Sequence, residues 1–181
     1  TFQTFARGAK SLVAILLVML MAVSSLFAQT QQYSLVTEDQ ADWSGTYLIT
    51  ATTTQGAVNA LTGINTSGSK PYGSYTTITS YVTGSVIESN ATTDAGAIVV
   101  AATGTGTYTM SLNNEYLGWI SDNSLTSSEI ASSNNYEWNI SFANGTVIIT
   151  NANTAGRKLQ YNMSSPRFAC YTSNQTSISL Y

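Results

Sequence analysis

Gly45-Thr46-Tyr47-Leu48-Ile49, Gly106-Thr107-Tyr108-Thr109-Met110 and Gly145-Thr146-Val147-Ile148-Ile149 are three copies of one phrase. Each opens on a Gly-Thr pair and alternates like a strand with one buried face. Each leads to a leucine in a partner segment: Leu61, Leu117 and Leu159. An internal repeat constrains architecture more tightly than a single motif, because each copy must bury its apolar face against the others. From Gly106 to Trp138 is 32 residues, from Gly145 to Ile178 is 33, and from Gly45 to Ile98 is 53. Units two and three therefore match, and unit one carries about twenty extra residues. Their expected place is between Asn65 and Gly84, where Thr, Ser, Gly and Tyr surround Lys70 and Pro71.

Outward from the repeat, Thr, Val, Ile and Tyr recur with period two, broken by Gly, Asn and Ser. Strands are expected at residues 33–36, 46–51, 97–101, 107–112, 116–120, 137–142, 146–151, 158–162 and 177–181. Asn113-Asn114 and Asn144-Gly145 are hairpin turns, since Asn and Gly tolerate positive φ. Tyr108, Met110 and Leu112 share one face, as do Tyr47 and Ile49, and both sets are assigned to the core. No convincing helical stripe follows residue 30.

Three units of about 40 residues, each with four short strands, resemble the β-trefoil, in which six strands form a barrel and six cap it. The units run at about 33–96, 97–136 and 137–181, within a single all-β domain spanning 29–181. A β-sandwich of two packed sheets is the structural alternative. The phrase Gly-x-Tyr-x-Ile, then Leu, then Trp-x-Ile is similar to that of ricin-type trefoil lectins. Their Gln-x-Trp becomes Tyr136-Glu137-Trp138 in one unit, and Gln175 precedes Ile178 in another. The sugar-binding Asp of those lectins has no counterpart at matching positions of each unit, so lectin activity does not transfer residue by residue. Residues 42–49, Leu159-Gln160-Tyr161-Asn162, Pro166-Arg167-Phe168, Cys170-Tyr171 and Ile178-Ser179-Leu180-Tyr181 also resemble a C-terminal accessory module of secreted proteins from gut-type Gram-negative bacteria. That resemblance implies a secreted accessory domain and no sharper activity.

Residues 1–28 read as a signal peptide in helical form. Arg7 and Lys10 precede an apolar run from Ser11 to Phe27, and Ala28 stands at the expected cut. The run falls short of the roughly 20 residues of a spanning helix. The expected product is therefore secreted, with no membrane attachment after cleavage. Beyond residue 28, four cations (Lys70, Arg157, Lys158 and Arg167) face nine carboxylates, a net charge of −5. Nucleic acid needs a basic stripe and is not an expected partner. The single cysteine, Cys170, has no partner for an internal disulfide and reads as a small buried hydrophobe.

The chain contains no histidine. Imidazole bases, Ser-His and Cys-His nucleophile pairs and imidazole metal ligands are all excluded. One cysteine excludes a thiolate zinc site. Carboxylate pairs drawn from Asp42, Glu115, Asp122, Glu129 and Glu137 are the remaining catalytic material, the minimum for glycoside hydrolysis. Their scatter reads as solvated surface charge. Asp122-Asn123-Ser124 lacks the spacing of a calcium loop and reads as a turn. The expectation is a non-enzyme with no cofactor and no metal.

Binding is better supplied. Eleven Tyr and three Trp, with abundant Asn, offer aromatic faces and planar polar groups for sugar rings. Two clusters are candidates for ligand binding: Trp119 with Asp122 and Asn123, and Tyr161 with Arg167 and Tyr171. Arg167 beside aromatics suits a cation–π shelf or a hydrogen-bonding fork. Three readings stay open: a secreted module binding glycan or another extracellular surface, an adhesive protein engaging a protein partner, and a protease inhibitor using Met163 to Arg167.

Overall fold

The computed structural model describes residues 31–181. The expected signal peptide lies outside these residues. Counted from each Gly-Thr phrase to its closing apolar strand, rather than by the bounds 33–96, 97–136 and 137–181, the first unit contributes β2 (Gly45–Thr52), β3 (Val58–Asn65), β4 (Tyr72–Thr77) and β7 (Ala97–Ala102); β1 (Gln32–Ser34), β5 (Val82–Thr83) and β6 (Val86–Glu88) lie outside its four. The second contributes β8 (Tyr108–Leu112), β9 (Glu115–Gly118), β10 (Thr126–Ser128) and β11 (Glu137–Ala143). The third contributes β12 (Thr146–Asn151), β13 (Lys158–Asn162), β14 (Arg167–Tyr171) and β15 (Ser179–Leu180).

The pairing runs through six barrel strands and leaves one seam, between β12 and β15, without a ladder. Tyr47 of β2 faces Ile98 of β7, and Val100 of β7 faces Met110 of β8. Tyr108 of β8 then faces Trp138 of β11, and Ile140 of β11 faces Ile149 of β12. On the far side Leu180 of β15 returns to Ile49 of β2. Within each unit the two middle strands form a hairpin: β3 with β4, β9 with β10, β13 with β14. Six barrel strands and three capping hairpins make a β-trefoil. A two-sheet sandwich is excluded, because one ladder runs through all six barrel strands from β15 to β12.

Alternation and turn chemistry explain the elements. Asn113 and Asn114 adopt φ of 54° and 65°, and Asn144 and Gly145 adopt 53° and 75°. Both are the left-handed pairs a two-residue hairpin needs. Leu61, Leu117 and Leu159 are all buried, together with Ile49, Met110, Leu112, Trp138 and Ile149. Tyr47 and Tyr108 pack against this core from its margin. The Trp138 indole N–H donates to the Leu117 carbonyl at 2.9 Å, so the ring is buried with its one donor satisfied. Cys170 is fully buried and its thiol is pushed up by desolvation, which makes it an inert core group.

The extra length of unit one falls later than the composition suggests. Tyr72–Thr77 is regular strand. Most of it lies in the β4–β7 connection, residues 78–96, which holds a 3-10 turn at Thr79–Tyr81, the β5–β6 hairpin and one helical turn, α1 (Ala91–Asp94); the remainder lengthens the β3–β4 hairpin. This connection pairs with β1 to form a small second sheet over Leu48, Val58, Ala60, Ile78 and Ile87. Asn90 caps α1 by accepting from the Thr92 and Thr93 backbone N–H groups at 2.9 and 3.2 Å.

Gly73 stands inside β4, and packing explains why a glycine is there. It lies where the three caps meet. A Cβ at this position would stand 2.5 Å from Leu61, 2.8 Å from Phe168 and 3.1 Å from Leu125. Gly73→Ala is therefore expected to destabilise the protein by about 1–3 kcal/mol through overpacking. Urea denaturation of this variant against wild type checks the value.

Candidate functional site

Two surfaces gather the candidate residues. The first lies around the β9–β10 connection. Asp122, at φ 47°, reverses the chain so that its carbonyl accepts the Trp119 indole N–H at 2.8 Å. The Arg157 guanidinium stacks 5.4 Å from the centre of the Trp119 ring and donates to Asn123 Oδ1 at 2.9 Å. Asp122 pairs with Lys70 at 3.0 Å, and this ammonium holds its carboxyl below the usual range. Both partners are well exposed, so the pair adds little stability. Trp119, Asp122 and Asn123 do come together, but their polar groups are engaged with one another and with Lys70 and Arg157. Together they clasp the β3–β4 turn, the β9–β10 loop and the start of β13.

The second group of candidates separates. Arg167 lies over Tyr72, 5.3 Å from its ring centre, and Asn65 donates to the Tyr72 hydroxyl at 2.9 Å. The cation–π shelf exists with a partner from β4 that the sequence did not single out. Tyr171 is buried in β14, and its hydroxyl has no partner among the described residues. Tyr171 therefore presents no exposed aromatic face. The reason is that Phe168, Ala169, Cys170 and Tyr171 are all buried, so alternation gives no outer face here.

Tyr161 occupies an intermediate place. Its ring is 1% exposed and meets Phe168 and Tyr75 edge to face, with centroids 5.0 and 5.6 Å apart. Its hydroxyl accepts from Asn59 Nδ2 at 2.9 Å, while Thr77 donates to Asn59 Oδ1 at 2.7 Å. This chain ends at the floor of a cleft of about 390 Å³ between the β2–β3 turn and the β13–β14 turn. Thr53, Gln55, Tyr75, Met163 and Pro166 complete its walls. The Tyr75 ring is 37% exposed and gives the cleft an aromatic wall. Asn59 and Tyr75 were not candidates on sequence. The available signal was Asn59 itself, a lone amide between the apolar Val58 and Ala60.

The carboxylates of interest are held locally. Asp42 accepts from the Ser44 backbone N–H at 2.9 Å, and Glu137 from the Thr107 hydroxyl at 2.6 Å. Glu115 accepts from the Ser127 hydroxyl. The cleft itself is lined by neutral hydroxyl, amide, thioether and aromatic groups. Such a lining can orient a polyol and stack on its C–H face.

No family model and no curated protein matches the chain. Among solved structures, the crystal structure of the lysenin pore is similar at a TM-score of 0.51 and 12% identity, covering 80% of this chain and 48% of that one. The chain thus spans about half the length of that neighbour, and the likeness is one of fold. A designed 3-fold symmetric protein, ThreeFoil, aligns at a TM-score of 0.43 and 17% identity, covering 75% and 88% of the two chains.

Tyr161 carries a pH signature, which its bond with Asn59 opposes. Burial, reinforced by Tyr75, pushes the Tyr161 phenol up to about 12, against an ordinary value of about 10. Between those values the unfolded chain has released its proton and the folded one has not. The stabilising contribution is therefore complete below pH 10 and declines as pH rises toward 12. Denaturation in steps from pH 9 to 12 is expected to show this decline, and Tyr161→Phe is expected to reduce it, while Tyr33, also pushed up to about 12, and the buried Cys170 keep their share. Asn59→Ala leaves the buried Tyr161 hydroxyl without its Asn59 partner and is expected to cost about 1–3 kcal/mol.

Proposed function

We propose that this chain is a secreted, non-catalytic binding module that recognises a neutral glycan on an extracellular surface. The observation that carries the reading is the Tyr75 cleft. It joins an exposed aromatic ring to the Asn59 amide and the Tyr161 hydroxyl, with no carboxylate, imidazole or thiol in its lining. A glycan site needs an apolar face and a few fixed hydrogen-bonding groups. A hydrolytic site needs a pair of acids, which this cleft does not have. The net charge of −5 beyond residue 28 supports a non-nucleic-acid partner. Secretion rests on the leader-like sequence of residues 1–28, and the role of accessory module on the C-terminal residues that resemble such modules.

A glycan array is expected to show binding to at least one neutral glycan. Tyr75→Ala is expected to weaken that binding by about tenfold or more, which is roughly 1.4 kcal/mol, in protein that still folds. Silence across the array from protein shown to be folded would overturn the proposal.

A further inference from the structure

The third unit departs from the other two where its barrel strands should meet. In unit one β2 pairs with β7 from Gly45 to Leu48, and in unit two β8 pairs with β11 at Tyr108 and Thr109. The equivalent strands of unit three, β12 and β15, lie side by side with no ladder between them among the described residues. Strand was expected over residues 177–181, yet β15 is only Ser179–Leu180. Thr176 is drawn instead into a bridge with Tyr161, their N–H and C=O groups exchanging bonds of 3.0 Å in both directions. The chain just beyond it diverges from β12. A cleft of about 420 Å³ opens along the seam.

We infer that this seam is a second ligand site, built for an acidic saccharide. Gln160, 8% exposed on β13, lines it. Its Nε2 donates to the Gln175 carbonyl at 3.4 Å, and its Oε1 has no partner among the described residues. Exchanging the two atoms would set two oxygens against each other, so the orientation is fixed by the Gln175 contact. A buried amide oxygen without a donor is costly, and a ligand O–H or N–H removes that cost. Lys158, two residues earlier on the same face of β13, also lines the cleft and has no carboxylate partner among the described residues. Asn144 and Asn174 add neutral amides, Val147 and Ile178 an apolar wall.

These groups select by elimination. A simple anion would satisfy Lys158 but bring nothing to donate to Gln160. A neutral sugar would satisfy Gln160 and leave the ammonium idle. A sugar bearing a carboxylate satisfies both and places its C–H face on the apolar wall. The inference does not rest on the Tyr75 cleft, because Gln160 and Tyr161 are successive residues of one strand and point to opposite faces.

Calorimetric titration of the full chain with methyl β-D-glucuronide and methyl β-D-galacturonide, against the neutral glucoside and galactoside, tests the site. At least one uronide is expected to bind about tenfold tighter than its neutral counterpart at low salt, with the preference shrinking as salt is added. Lys158→Gln is expected to erase the preference. Gln160→Leu is expected to weaken uronide binding about fivefold or more without lowering the melting temperature, since it removes a buried unpaired acceptor. Gln160→Glu keeps the shape, adds a negative charge and is expected to abolish uronide binding. Tyr75→Ala is expected to leave it intact. No preference for either uronide, or a preference that survives both Lys158→Gln and Gln160→Glu, would overturn the inference.

Discussion

Three leucines, Leu61, Leu117 and Leu159, hold the interior of this trefoil, each supplied by the second strand of its unit and each essentially removed from water. With few charges, one thiol and no disulfide, the protein relies on its apolar core, of which these three leucines are a part. Full burial of one such side chain contributes about 1.5–3 kcal/mol. The three are equivalent by repeat, so the barrel closes only if all three units present their leucine at the same depth. Gly73 serves the same constraint from outside. The caps converge so closely that the first unit has no room for a side chain there.

Once closure is fixed, the units are free to differ in their connections. Unit one spends its extra residues on a second sheet over Leu48 and Ile78, and its β2–β3 turn forms one wall of the Tyr75 cleft. Unit two spends its loop on the Trp119–Asp122 turn, which Arg157 and Lys70 fasten to its neighbours. Unit three shortens its last strand and opens a seam. The shared phrase is scaffold. Both proposed ligand clefts lie where the copies disagree.

Much of this was legible in the sequence. Period-two alternation placed Met110 and Leu112 inside, and the Asn pairs marked turns that do adopt positive φ. Features governed by distant contacts were not legible. β4 was not among the expected strands, and its Gly73 answers to Phe168 and Leu125, far along the chain. β14 hides its strand character because it is buried on both faces between β13 and β4, so Tyr171 could pass for a surface aromatic. Arg157 sits on Trp119, and Tyr72 beneath Arg167, through tertiary packing that no local pattern records. The Tyr75 cleft is assembled from three separate stretches, and only the lone amide of Asn59 hinted at it.

The central claim is that ligand recognition centres on the Tyr75 cleft and not on the Trp119 clasp. Amide chemical-shift mapping during titration with a bound neutral glycan tests it most directly. The account predicts that perturbed amides cluster at residues 53–59, 75–77 and 161–166, with the loop from Trp119 to Asn123 undisturbed. Shifts centred on Trp119, Asn123 and Arg157, with Asn59 and Tyr75 unmoved, would contradict it.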